Sequence, residues 1–308
     1  TILIGADNVF NNGMDLDLDG GTLAVNGFSD TLDNLAVNAD SSIDFRAASG
    51  GELVFDTWTR SAGTLTVDGW LGSLSGNGAT RFQATDSTPG SLTANTVFTG
   101  WSDTSQLVNL GGGLYEIVPD FSGWSEWDGN AGGGGNGDDW DRNNNWTTPQ
   151  FPDSTTADVY FGSLDNSLDG ATVELDGNRN IRHMVVNNDD AFTIAESLLT
   201  FNAPGNDPTY LTVADSSAVT FDSNVRFWEE HTIYQYSTGD LTFAGNVQLD
   251  DASLSTLTIE GFGDVVIDGQ ISDSGNQGQI IMNGSGTLSL NGTNTFNDGV
   301  TLNSGTIS

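Results

Sequence analysis

Residues 282–308 read MNGSGTLSLNGTNTFNDGVTLNSGTIS, and their pattern decides the fold. Two short runs, Thr287–Leu290 and 300–307, alternate apolar with polar residues. Period-two alternation puts one face of each run inside and the other in water, as in a strand. Gly284, Gly286, Gly292, Gly299 and Gly305 punctuate the runs where the chain must turn. Working outward, similar runs recur every 8–12 residues over 156–281, with Gly, Asn or Asp between them. LAVNADSSIDF at 35–45 echoes LTVADSSAVTF at 211–221, and GTL-type strands begin at Gly21, Gly63 and Gly286. Such internal repetition predicts stacked coils in preference to a sandwich or barrel. No segment of ten or more residues carries a helical period.

The string from Gly284 to Ile307, G-S-G-T-L-S-L-N-G-T-N-T-F-N-D-G-V-T-L-N-S-G-T-I, resembles the autotransporter-associated β-strand repeat of large bacterial surface and secreted proteins. The resemblance implies an all-β, right-handed parallel β-helix and a non-enzymatic, extracellular, structural or adhesive role. It extends to two further places. GTLTVDGW…SLTANTVFTGW…GGGLYEIVP, within 63–119, resembles the C-terminal end of family proteins. Trp124, Trp127, Trp140, Asn145 and Trp146, followed by Pro149 or Pro152, resemble their start.

Three segments follow: β-helix over 1–119, an irregular Gly/Asn/Asp/Trp-rich stretch over 120–155, and β-helix over 156–308 with the repeat at 282–308. The chain has 308 residues, 36% of them hydrophobic, with 40 Gly, which suits a thin stacked core with many turns. Net charge is −35, and all seven basic residues are Arg. Nucleic acids and anionic membranes need basic patches and are excluded as partners. No apolar run is long enough for a transmembrane helix. Cysteine is absent, which removes disulfides, thiol catalysis and thiolate metal sites.

Catalytic patterns are missing. His183 and His231 are the only histidines, and there is no G-x-S-x-G, H-E-x-x-H, P-loop or dinucleotide fingerprint. A polysaccharide lyase on a β-helix would use Arg179 and Arg182. A glycosidase would need two facing carboxylates, which this acidic chain offers at no particular place. The residues therefore predict a non-enzyme that requires no cofactor. Calcium is the one ion the composition suits: Asp128, Asp138, Asp139 and Asp141 cluster in the irregular stretch. Asp15, Asp17 and Asp19 form the start of an EF-type loop, but Leu16 and Leu18 between them read better as the inner face of a strand. Trp101 and Trp140 are the candidates for stacking on a glycan in a carbohydrate-binding adhesin, against the alternative of filling solenoid ends.

The two ends of the sequence match each other. SGTIS at the C-terminus and TILIGADNVF at the N-terminus, read in succession, resemble one unbroken family segment. With neither a starting Met nor a signal peptide, the sequence reads as a processed form or an excised part. A solenoid that stops leaves unpaired strands and uncovered core. The expected interface is Thr1, Ile2, Leu3 and Ile4 against Val300, Leu302 and Ile307. Either separate copies stack head to tail or the sequence is one period of a tandem array; both give an open filament. The expected function is thus a subunit or repeat unit of an extracellular filament, sheath or adhesive surface fibre whose main partner is itself.

Overall fold

A computed structural model describes residues 1–10, 12–46, 50–128, 139–162, 168, 170–228, 230–250, 254–275 and 277–308. The fold is the parallel β-solenoid that the repeats predict, about 12 turns in all. It divides into two compact units, Thr1–Ser122 and Gly123–Ser308.

The second unit has three parallel sheets of eight, seven and five strands, each coil adding one strand to each sheet in turn. In-register pairing stacks like residues on like. Val159, Met184, Leu211, Ile233, Ile259, Met282 and Leu302 form one inward column. Val173, Ile194, Phe221, Phe243, Ile267 and Leu290 form another. Each apolar side chain fully withdrawn from water contributes about 1.5–3 kcal/mol, so the columns supply the main driving force. Phe221 and Phe243 stack with ring centroids 5.1 Å apart, showing how closely successive coils approach. Close approach also explains the small residues at one corner. Gly245, Gly269 and Gly292 lie one above another, and a Cβ on Gly269 would run into the carbonyl oxygen of Gly245.

The unit begins with an aromatic plug. Trp127, Trp140, Trp146 and Phe161 are buried together. Trp140 meets Trp146 edge to face at 4.7 Å, and Trp127 meets Trp146 at 4.9 Å. Their polar edges are satisfied: Trp140 Nε1 donates to Pro152 O at 2.9 Å and Trp146 Nε1 to Trp140 O at 2.7 Å. A stretch whose composition reads as loop therefore supplies part of the core.

The first unit repeats the scheme with two sheets. Leu16 and Leu18 are buried and Asp17 is exposed. Asp15 and Asp19 accept hydrogen bonds from Asn34 Nδ2 (2.6 Å) and Asn38 Nδ2 (2.9 Å) of the next coil. The strand reading of 15–19 holds, and the EF-type reading does not. The unit ends differently from the rest of the molecule. Strands Ser105–Gly111 and Leu114–Pro119 form an antiparallel hairpin, and the second of them pairs antiparallel with Thr80–Ala84. Gly111, Gly112 and Gly113 make its turn, all at positive φ (82°, 65° and 86°) that side chains rarely adopt. The hairpin thus ends the parallel ladder of this sheet with two antiparallel pairings. Trp70 and Trp101 pack beside it, edge to face at 4.8 Å.

Both units also handle the acidic surface by stacking. Side-chain amides reach from one coil to a carboxylate in the one before: Asn283 Nδ2 to Glu260 Oε1 (2.9 Å) and Asn291 Nδ2 to Asp268 Oδ1 (2.8 Å).

Candidate functional site

In the first coil of the first unit and the last coil of the second, positions on the inward side of the strands stand exposed. In the last coil, Val300 and Leu302 pair with the inward, buried Ile280 and Met282, so they too point inward, yet they are 39% and 50% exposed. Ile307 pairs with buried Leu288 and is half-buried. In the first coil, Ile2 pairs with inward Leu23 but is 56% exposed. Ile4 is buried, with its N–H donating to Ala24 O at 2.8 Å. Leu3 pairs with Ala24 on the outer side of the strand and is 65% exposed. Thr1 is exposed. Of the other residues expected to point inward, Leu288 is buried and Leu290 half-buried.

The acidic residues are arranged differently from the expected calcium set. Asp138 lies outside the described residues. Asp139 and Asp141 come together with Asp176, their carboxylate oxygens within 4.8 Å of one another, while Asp128 is not part of the group. Asp176 was invisible to sequence reasoning because its neighbours are more than thirty residues away along the chain. Two guanidinium groups already stand at this cluster. Arg142 Nε donates to Asp139 Oδ2, and Arg179 lies 3.9 Å from Asp141 and 3.6 Å from Asp153. Cationic side chains thus sit where calcium would draw its ligands.

Trp101 and Trp140 are fully buried. Neither offers a ring face to a glycan, because both are enclosed by other aromatic rings: Trp101 by Trp70, and Trp140 by Trp146 and Phe161. A cavity of about 340 Å³ opens nearby, lined by Asn143, Gln150, Phe151 and Asp153. The Arg179 guanidinium lies over the Phe151 ring, 5.0 Å from its centre.

The remaining candidate chemistry is built into packing. Burial, with the Arg182 charge, pushes His183 down to about 3, and its ring stacks on Tyr210 at 3.8 Å. His231 is held well below its usual value by burial, stacked on Phe227 at 4.0 Å and bonded through Nδ1 to the Thr209 hydroxyl at 2.7 Å. Arg182 lies against Asp158, with Nε donating to Oδ1 at 2.8 Å. Glu116, on the second strand of the hairpin, is buried and accepts from Asn77 N–H (2.9 Å) and Gln83 Nε2 (3.0 Å).

Glu126, beside the aromatic plug, is pushed up to about 7 by burial and then by the Asp128 charge. A carboxyl raised above its ordinary value favours the folded state while protonated. That contribution is complete below about pH 4.5 and is lost as pH rises through about 7. The side chain is half-buried, so the full linkage energy is discounted for solvent screening to about 1–2 kcal/mol. Glu126→Gln is expected to melt higher than the parent protein at pH 8 and with it at pH 4. A difference that does not change with pH would refute this account.

No family model, no curated protein and no solved structure matches the chain. Among the described residues, no helix is long and apolar enough to cross a membrane.

Proposed function

We propose that the protein is a structural, non-enzymatic subunit or repeat unit of an extracellular filament, sheath or adhesive surface fibre, joined head to tail through its open edges. The observation that carries this reading is the pair of uncovered edges. At one, Val300 and Leu302 point inward and stand 39% and 50% exposed; at the other, Ile2 points inward at 56%. Elsewhere in the same columns, inward residues are buried, so the edges are where a further parallel strand gains most. The acidic, cysteine-free composition and the resemblance of 284–307 to a bacterial surface repeat support the extracellular placement. The hydrogen-bonded coils stand in for disulfides as the source of rigidity. The protein needs no cofactor in this reading.

The test is assembly. The parent protein is expected to form fibres at high concentration in electron micrographs. The double variant Val300→Asp, Leu302→Asp is expected to stay monomeric with an unchanged strand signal in circular dichroism. Each inward side chain covered on assembly contributes at most about 1.5–3 kcal/mol, and its present half-exposure reduces that by roughly half. Adding the desolvation of two carboxylates, association is expected to weaken by about 100-fold or more. A parent protein that remains monomeric up to its solubility limit, with both edges open to hydrogen exchange, would refute assembly of separate copies.

A further inference from the structure

The cavity beside the aromatic plug has a wall that is fixed in place yet keeps polar valences unused. Residues 150–153 are tied down one by one. The Gln150 carbonyl oxygen accepts the Thr148 hydroxyl at 2.8 Å, and the Phe151 N–H donates to Asn143 Oδ1 at 3.0 Å. The Pro152 carbonyl oxygen accepts the buried Trp140 indole N–H at 2.9 Å, and Asp153 Oδ1 accepts the Asn180 N–H at 2.9 Å. The loop is thus anchored to the plug and to the strand Arg179–Ile181. These bonds leave Asn143 Nδ2 and the whole side-chain amide of Gln150 without a hydrogen-bond partner among the described residues. Asp153 Oδ2 stands 3.6 Å from Arg179, too far for a hydrogen bond, so it too can still accept.

Charge selects what such a wall can hold. The Arg179 guanidinium lies over the Phe151 ring, 5.0 Å from its centre, beside Asp153. It stands where a ligand cation would stand. Its own charge faces Asp153 and, at 3.9 Å, Asp141, so it draws no anion into the cavity. The net charge of −35 repels phosphates and uronates as well. Three of the four lining residues are polar, which leaves an apolar ligand with desolvated groups opposite it. What these constraints leave is an uncharged molecule dense in hydroxyls, with one C–H face.

We propose that this cavity binds one neutral sugar unit of a glycan. Its volume of about 340 Å³ is at the low end of the range for small-ligand pockets, which suits a single ring and not a chain. Neighbouring sugar hydroxyls donate to Asp153 Oδ2 and accept from Asn143 Nδ2 and the Gln150 amide, while half-buried Phe151 supplies the apolar wall. A loop already held in its bound shape loses little freedom on binding. The site is independent of the filament reading.

The test titrates methyl β-glucoside, methyl β-galactoside, methyl α-mannoside and methyl β-N-acetylglucosaminide against the whole protein and follows side-chain amide signals by NMR. At least one glycoside is expected to bind with a Kd of about 1 mM and to shift the Asn143 and Gln150 signals. Gln150→Ala removes a side chain that bonds to nothing described, and is expected to weaken binding several-fold at an unchanged melting temperature. Asp153→Asn keeps an acceptor for the Asn180 N–H, and is expected to weaken binding about tenfold because a charged acceptor becomes a neutral one. Methyl glucuronide and choline, the charged counterparts, are expected to shift nothing at the same concentration. No shift with any neutral glycoside up to about 0.1 M, binding that both substitutions leave unchanged, or tighter binding of a charged probe would overturn the proposal. None of these outcomes bears on fibre formation, which the micrographs test separately.

Discussion

Trp140→Ala is expected to lower the melting temperature of the second unit more than any other single truncation near its start. Trp140 is fully buried, packs edge to face on Trp146 at 4.7 Å, and ties the loop at Pro152 through its indole N–H. Its backbone N–H also donates to Glu174 O at 2.8 Å, so the residue fastens the plug to the first coil. Removing a buried Trp costs about 3–5 kcal/mol in lost transfer energy and residual cavity. For a unit of this size each kcal/mol corresponds to roughly 2–4 °C, so a fall of about 10 °C is expected in calorimetry. The same scan carries a control: the first unit has its own core, and a separately resolved transition there should not move. A fall of only a degree or two would mean that the plug is not part of the cooperative core.

Gly269→Val is the second large effect. Here the driving term is overlap rather than a cavity. Gly269 stands between Gly245 and Gly292 in a column whose carbonyl oxygens lie where a side chain would begin. The coils cannot spread locally without stretching the pairing of Val247 with Ile271 and of Ile267 with Leu290. Overpacking usually costs about 1–3 kcal/mol, and a backbone obstacle that cannot rotate away places this site at or above the top of that range. Gly21→Ala is the matched control, since nothing lies within 4 Å of where its Cβ would be. Equal effects of the two substitutions in urea unfolding would show that intrinsic glycine propensity, not the close approach, sets the cost.

The sequence made some features plain and hid others, and the division has a physical cause. Alternation is local, so Leu16, Leu18, Leu35 and Val37 declare their faces within a few residues, and the echo between 35–45 and 211–221 shows that they stack. The tight positive-φ turn at 111–113 is visible as three glycines. That the strands around it pair antiparallel, and so terminate the parallel stack, depends on what each strand finds beside it. Trp101 and Trp140 left two readings open in the sequence, a platform for a glycan and the filling of a solenoid end, and their full burial decides for the second. The Asp139–Asp141–Asp176 cluster and its guanidinium partners arise from coil stacking over tens of residues, which no local pattern encodes. Leu302 shows the converse case: its inward direction was legible, while its 50% exposure was not.

The amide-to-carboxylate columns have a consequence for how the material ages. Asn283 and Asn291 both precede glycine, the setting in which the following backbone nitrogen most easily attacks a side-chain amide and expels ammonia. While intact, Asn291 donates to Asp268 at 2.8 Å and Asn283 to Glu260 at 2.9 Å. Once hydrolysed, each contact would set two carboxylates against each other at the spacing of adjacent strands, turning an attraction between coils into repulsion. Stability that declines in step with the mass signature of deamidation would reveal this chemical clock, and an aged protein would loosen coil by coil from its most acidic columns.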